Sequence, residues 1–375
     1  MFKTCALIIF CSLPTILSAE DDRLTMPKKA KLAFSEDFSS GKIRPAVWYP
    51  LQKKWGNGNH GVISANTFIQ KDKVNGKLQN VLVCRGHGDL YQGPLRGWQG
   101  NKQRVGGVLV TKEFFASGKY EVVIKIGSTE KSDKGPKTPT HPIGMIPAVW
   151  TYAYLNVPAG KSPADQFNKD NPMYNPHLNR KKWGANEYTS ELDFPEFGKK
   201  QNLEKALYNT FLNQKHQTKT FPTKEVIDGK YHTLTTIWRT QLKPMPGIKD
   251  SQVTEYKGYF WIQDKAIPFD SYLGNPLKRL GKNKYALYAG KAVHHFIDGK
   301  FVGSNDKFIP CLSAQLNIGV WFPNWAGAAP WKESSMSVAS VKIWQYDDEG
   351  DVKGIFTNDI GSNMDKNGKP RSRKK

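Results

Sequence analysis

Residues 118–126 read GKYEVVIKI. Tyr120, Val122, Ile124 and Ile126 alternate with Lys119, Glu121, Val123 and Lys125. A period of two places one set on each face of an extended chain, so the segment predicts a half-buried β-strand. Residues 335–346 carry the same look around Ser337-Val338-Ala339-Ser340-Val341-Lys342-Ile343-Trp344. Working outward, short strand-like runs separated by turn signals recur at 62–70, 77–84, 106–112, 145–153, 186–197, 204–213, 231–240, 257–264, 284–289, 293–302 and 311–320. Asp298-Gly299 is a strong hairpin-turn signal between two such arms. No long segment carries an apolar stripe at helical spacing. Many short strands and few helices predict an all-β sandwich. Two stretches without period, 156–185 and 241–256, read as long loops of the kind that more often carry function than not.

The chain has 375 residues and a formal charge of +22, with 38% apolar and 12% aromatic residues. That is enough large side chain to bury a sizeable core. Residues 1–19, MFKTCALIIFCSLPTILSA, show a basic start, a short apolar run and small residues before Glu20. This is the pattern of a secretory signal peptide, and it implies a secreted or periplasmic protein. Beyond it no apolar run approaches the length that spans a bilayer, so no membrane association is expected after signal cleavage. Cleavage removes Lys3, Cys5 and Cys11 and leaves a charge of +21. Cys84 and Cys311 remain, too few for a disulfide scaffold; they allow one bridge or two free thiols. The positive excess implies attraction to a polyanion. Nucleic acid is set aside for want of a recognition motif, which leaves an anionic polysaccharide. Residues 20–346 are read as one domain, and 347–375 as a polar, basic, disordered tail.

The chemistry lies in NEYTSELDFPEFG, residues 186–198. Glu191 and Asp193 are two apart and share a strand face. Strict alternation would put Glu196 behind them, but a one-residue bulge at Phe194-Pro195 returns it to their side. Leu192 and Phe194 then bury the opposite face. Three carboxylates in a row cannot all ionise without cost. Retaining glycosidases need this inequality, with one ionised nucleophile and one protonated acid. The two glutamates stand about 13 Å apart at Cα, and their side chains can lean to the roughly 5–5.5 Å that retention requires. A solvated acidic face and a calcium site are the competing readings.

This pattern resembles the catalytic strand of glycoside hydrolase family 16 in its bulged E-x-D-x-x-E form. Phe34-Ser35-Glu36-Asp37-Phe38, Gly118-Lys119-Tyr120-Glu121, Met145-Ile146-Pro147-Ala148-Val149-Trp150, Tyr231-His232-Thr233, Phe296-Ile297-Asp298-Gly299 and Leu316-Asn317-Ile318-Gly319 resemble further family stretches, in order along residues 34–346. The chain departs from the family in having Phe194-Pro195 where relatives have Ile-Met, and Tyr208-Asn209-Thr210 where many have His-Gly-Thr. The resemblance implies a concanavalin-like β-jelly-roll sandwich with a concave substrate cleft. It also implies endo-hydrolysis of a β-linked polysaccharide, with Glu191 as nucleophile, Asp193 as assisting carboxylate and Glu196 as acid/base. It implies no cofactor, although the family often carries a structural calcium whose ligands the sequence does not place.

Sugar rings offer apolar faces to aromatic side chains. Trp98, Trp150, Trp183, Trp321 and Trp325 are the candidate platforms. Arg180 and Lys182 flank Trp183, while Arg85, Arg96 and Arg104 surround the glycine-rich stretch 86–107. Arginine forks suit sulfate, so these loops point to a sulfated galactan of the agar or carrageenan type. A β-1,3(1,4)-glucanase and a non-catalytic lectin-like module are the alternatives. The chain is expected to be a monomer. Gly56–Gly61 fits G-x-G-x-x-G but lacks a following helix pattern and reads as a turn-rich loop.

Overall fold

The computed structural model describes residues 21–55, 61–128, 141–157, 186–256, 258–264 and 266–354. Eighteen strands are found among them. The first six are β1 (Lys31–Glu36), β2 (Trp48–Pro50), β3 (Thr67–Val74), β4 (Lys77–His87), β5 (Gly107–Thr111) and β6 (Gly118–Ile126). Then follow β7 (Ile146–Val157), β8 (Asn186–Phe197), β9 (Lys205–Leu212), β10 (Lys215–Pro222), β11 (His232–Met245) and β12 (Val253–Tyr256). The last are β13 (Tyr259–Ile262), β14 (Leu277–Gly281), β15 (Lys284–Ile297), β16 (Lys300–Asn305), β17 (Gln315–Trp321) and β18 (Glu333–Gln345). One four-residue α-helix (Phe269–Tyr272) and short 3₁₀ turns complete the described elements.

The strands form two antiparallel sheets. The larger runs β12-β13-β14-β15-β11-β6-β18-β4-β3, with β1 on β18 and β16 on β15; the smaller runs β10-β9-β8-β7-β17-β5-β2. Neighbours far apart in sequence, such as β6 between β11 and β18, are the mark of a jelly roll rather than a meander. β6 has the alternation its sequence predicts: Tyr120, Val122, Ile124 and Ile126 are buried, and Lys119, Glu121, Val123 and Lys125 only partly so. The buried set meets Val149, Leu192, Phe194, Leu316 and Ile318 of the smaller sheet in the main core. Phe194 lies edge-on to Tyr120 at 5.6 Å. Truncating such a ring costs about 3–5 kcal/mol, so the inner face of β8 fixes the sheet on which its outer face is displayed.

The hairpin at Asp298-Gly299 forms as expected, with φ of 49° and 76° at its two residues. Such a turn needs positive φ at both positions, which aspartate tolerates and glycine adopts freely.

Several expectations are corrected. Residues 241–245 are not loop but the end of β11, paired with β15 up to Met245 opposite Tyr285. Pro244 is admitted because β6 pairs β11 only at His232–Trp238, so the proline N lacks no partner on that side. β10 lacks an apolar period because only Phe221 of its inner face is apolar: Gln217 and Lys219 both reach Asp306, and Lys219 also reaches the Ser304 carbonyl. The start of the supposed tail packs on the sandwich. Arg239 donates two hydrogen bonds of 2.9 Å to Asp348, Thr240 donates to Asp351 at 2.7 Å, and Val352 is buried against Leu312. Of the two states left open for Cys84 and Cys311, the structure has separate buried thiols. They sit in different clusters, with Cys84 in the main core and Cys311 beside Tyr188 and Leu312. Residues 1–20, where a signal peptide is expected, residues 158–185 of the expected long loop, and residues 355–375 lie outside the described residues.

Candidate active site

The site is built on β8. Its register explains why six residues, Glu191 to Glu196, keep three carboxylates together. Asp193 faces Trp150 of β7 and Glu196 faces Ala148, so three residue steps on β8 span two on β7. The same holds on the other flank, where Asp193 faces Asn209 of β9 and Glu196 faces Leu207. One extra residue is absorbed at Phe194-Pro195, whose peptide bond is cis. Leu192 and Phe194 are 1% and 3% exposed in the core, which turns Glu191, Asp193 and Glu196 outward on the other face.

The outer face of the smaller sheet can be read row by row. The first row is His216, Phe211, Glu191, Tyr152 and Gln315. The second is Thr218, Asn209, Asp193, Trp150 and Asn317, and the third is Thr220, Leu207, Glu196, Ala148 and Gly319. The carboxylates occupy the middle of each row, Glu191 and Asp193 flanked by polar and aromatic side chains and Glu196 by Leu207 and Ala148.

Glu191 and Glu196 are half-buried, while Asp193 is 2% exposed. Asn209 Nδ2 donates to Asp193 Oδ2 at 2.7 Å and to Glu196 Oε2 at 3.3 Å. Glu191 and Asp193 are two residues apart on one strand face, so their carboxyls are neighbours in the row. Burial raises the Asp193 pKa, against the pull of Asn209 and Glu191. Burial, and then the charge of Asp193, hold the Glu196 pKa well above the usual carboxylate range. A hydrogen bond from Trp321 and the charge of Lys199 oppose that rise. The row therefore retains protons near neutrality, with Glu196 the group most strongly held as an acid. A carboxyl held protonated in a row with other carboxyls is the asymmetry a double displacement uses.

Gly198 closes β8 at φ 90°, where its backbone comes so close to the Met145 carbonyl that an added Cβ would stand 2.7 Å from it. This packing brings the turn after β8 back over β7 and helps fix Glu196.

The aromatic candidates divide. Trp321 is half-buried and beside Glu196. Trp325 is 39% exposed and meets Trp321 at 5.7 Å, edge to face. Trp150 is on the correct face but only 5% exposed, covered by Trp55 at 5.5 Å. It supports the floor and is not itself a platform. Trp98 packs with Leu95 against Ile63 and Val105, in a cluster separate from the carboxylate row. Trp183, Arg180 and Lys182 lie outside the described residues.

The arginines expected to grip sulfate are engaged by the protein itself. Arg104 makes a fork on Asp89 at 2.7 and 3.1 Å, and Arg96 donates to the carbonyls of Gly93 and Leu95. Arg85 binds Asn66 and pairs with Glu333 at 3.6 Å. Among the described residues no three His, Cys, Asp or Glu side chains are grouped to hold a metal ion, and calcium ligands are not placed.

Sequence reading missed Asn209, Trp55, Phe211 and His216 as site residues. Asn209 was visible only as a departure from a family pattern, and its donor role depends on cross-strand register. Trp55 follows two lysines in a segment with no strand period. Phe211 and His216 lie nearly parallel, 5.4 Å apart, beside Glu191.

No protein-family model matches the chain, and no curated protein matches it significantly. Among solved structures it is similar to a prokaryotic β-1,3-1,4-glucanase (lichenase) derived from a mouse hindgut metagenome, with 15% identity, 83% of this chain and 97% of that one covered, and a TM-score of 0.45. It is also similar to a glycoside hydrolase family 16 endo-glucanase from Bacteroides ovatus, with 15% identity, coverage of 83% and 99%, and a TM-score of 0.43. A third similar structure is porphyranase B from Zobellia galactanivorans, with 14% identity, coverage of 84% and 92%, and a TM-score of 0.44.

Proposed function

We propose that this chain is a secreted, endo-acting, retaining β-glycosidase of the family 16 type, acting on a polysaccharide, with an anionic galactan as the favoured substrate class. The observation that carries the reading is the bulged β8, which sets Glu191, Asp193 and Glu196 on one outward face, with the pKa values of Asp193 and Glu196 raised by burial.

In this reading Glu191 attacks the anomeric carbon while Glu196 gives its proton to the departing glycosidic oxygen. The bond from anomeric carbon to Glu191 Oε forms as the bond to the leaving sugar breaks. Glu196, now ionised, takes a proton from water, which displaces Glu191 and leaves the configuration as it began. Asp193, held by Asn209, stands in the row between Glu191 and Glu196 and helps set which of them carries a proton. Trp321 and Trp325 offer apolar surface to the sugar next to the acid.

A neutral β-glucan is the second reading. It is favoured by the engagement of Arg85, Arg96 and Arg104 with protein groups, which leaves the charge of those arginines inside the fold.

The test is release of reducing ends from laminarin, lichenan, agarose, porphyran and carrageenans, with the anomer of the first product followed by NMR. Retained configuration on at least one polymer supports the reading. Inversion, or unaltered turnover in Glu191→Gln, overturns it.

A further inference from the structure

The rim of the cleft floor differs in charge from one edge to another. Along the β10 edge His216, Thr218 and Thr220 point outward, level in turn with the Glu191, Asp193 and Glu196 rows. Its lysines turn to the inner side, where Lys215 pairs with Asp270 at 2.9 Å and Lys219 with Asp306 at 3.1 Å. On the Glu196 side the turn after β8 carries Lys199 and Lys200, both exposed. Neither forms an ion pair among the described residues, in contrast to Arg44, Arg85, Arg104, Arg239 and Arg279.

This turn is held in a costly backbone. Gly198, Lys200 and Gln201 have φ of 90°, 52° and 64°. Left-handed conformation at a long side chain is uncommon and persists only where the surroundings enforce it. Here Gln201 Nε2 donates to the Ala328 carbonyl at 3.1 Å, docking the lysine turn on the loop that bears Trp325. The acidic residue on that loop's far side is already occupied: Asp89 accepts from the Ala329 N–H at 2.8 Å and takes the Arg104 fork. Farther along the same rim Lys53 Nζ stands 5.6 Å from the Trp55 ring, which itself lies 6.3 Å from Trp321. Lysines thus border a run of three indoles, Trp55, Trp321 and Trp325. An indole takes the apolar face of a pyranose and an ammonium takes an oxyanion on its edge, so the pair together selects a charged sugar.

We infer that the Trp321 side of the cleft binds a sugar bearing a sulfate or carboxylate, its ring on Trp321 and Trp325 and its anion on Lys199 and Lys200, while the His216 side takes an uncharged sugar. The inference rests on the glycosidase reading and adds to it where, and through which residues, substrate charge is read.

The test compares kcat/KM on a sulfated galactan, on the same polymer after desulfation, and on a polyuronate. The proteins are the parent, Lys199→Gln/Lys200→Gln, and the distant surface control Lys278→Gln. The expected result is a fall of roughly fivefold or more in the ratio of anionic to desulfated substrate for the double variant, with no change for the control. The polyuronate arm tells carboxylate from sulfate. An unchanged ratio, or a parent that prefers the desulfated polymer, overturns the inference. A second measurement separates its failure from that of the glycosidase reading: native-gel retardation of Glu191→Gln by each polymer, with and without the lysine changes. Retardation by the anionic polymer that the lysine changes abolish upholds the charge site even if no polymer is cleaved. Cleavage without lysine-dependent retardation or rate overturns the charge site alone.

Discussion

The side-chain amide of Asn209 lies 2.7 Å from Asp193 and 3.3 Å from Glu196, so one donor ties two carboxyls of the row together. Its hydrogen bond favours the ionised form of Asp193. Replacing it with the isosteric Asn209→Leu should raise the Asp193 pKa further and move the acidic limb of the kcat/KM profile to higher pH. The cost in kcat should be about 10- to 100-fold. A pH–rate series from pH 4 to 9 checks this; a profile that falls in height but does not move would assign Asn209 a purely packing role.

Glu191→Ala and Glu196→Ala should each lose at least about a thousandfold in turnover, with glycan binding retained. Azide should separate their roles. In the Glu196 variant it should intercept the glycosyl-enzyme and give a product of retained configuration. In the Glu191 variant it should attack directly and give the opposite anomer. NMR of the azide adducts reads the result, and exchanged anomers would swap the two assignments.

Trp321 opposes the rise of the Glu196 pKa through its hydrogen bond. Trp321→Phe keeps an aromatic ring but removes the N–H donor. The Glu196 pKa should climb, and because the acid works protonated, the alkaline limb of the profile should shift upward. KM should change little compared with Trp321→Ala, which removes the platform as well. An alkaline limb that stays in place in the phenylalanine variant would show that the bond does not tune the acid.

Buried Cys84 and Cys311 have thiols pushed upward by desolvation, which keeps them protonated. A thiol reagent should react with both in denatured residues 20–375 and slowly in the folded protein. A count of zero after denaturation would mean a bridge and a different packing of both clusters.

His232 is held by Asp228 at 2.9 Å and Asp298 at 2.7 Å. Burial disfavours its charge, but the two carboxylates outweigh burial and raise its pKa. A raised folded-state pKa stabilises the protein fully below the unfolded value near 6.5, and the gain is lost as pH rises through the folded value. The Tm difference between the parent and His232→Gln should therefore be larger at pH 5.5 than at pH 9. A pH-independent difference would assign the His232 contacts to neutral hydrogen bonding.

The all-β class was legible because β6, β8 and β18 carry a two-residue period against a core, and the Asp298-Gly299 turn names its own conformation. The bulge was legible because Pro195 stands where a regular ladder would want an N–H. What pairs across strands was not. Asn209 beside Asp193 and Trp55 over Trp150 follow from register and from loop return, neither of which leaves a local pattern. β10 escaped because Lys215, Gln217 and Lys219 of its inward face are polar and are met by Asp270, Asp306 and the Ser304 carbonyl, which leaves Phe221 as its single apolar contact residue on that face. The arginines misled for a related reason: a guanidinium that forks onto Asp89 reads the same in sequence as one that waits for a sulfate.

The extra residue of β8 is absorbed within the strand, since Glu196 still meets Ala148 and Leu207 two positions on from the partners of Asp193. A shorter segment lacking Pro195 would bring its second glutamate opposite those same neighbours without any bend. Two spacings of one acidic signature are thus interchangeable solutions to a single geometric demand. A pattern search that insists on either spacing will pass over chains that satisfy the demand with the other.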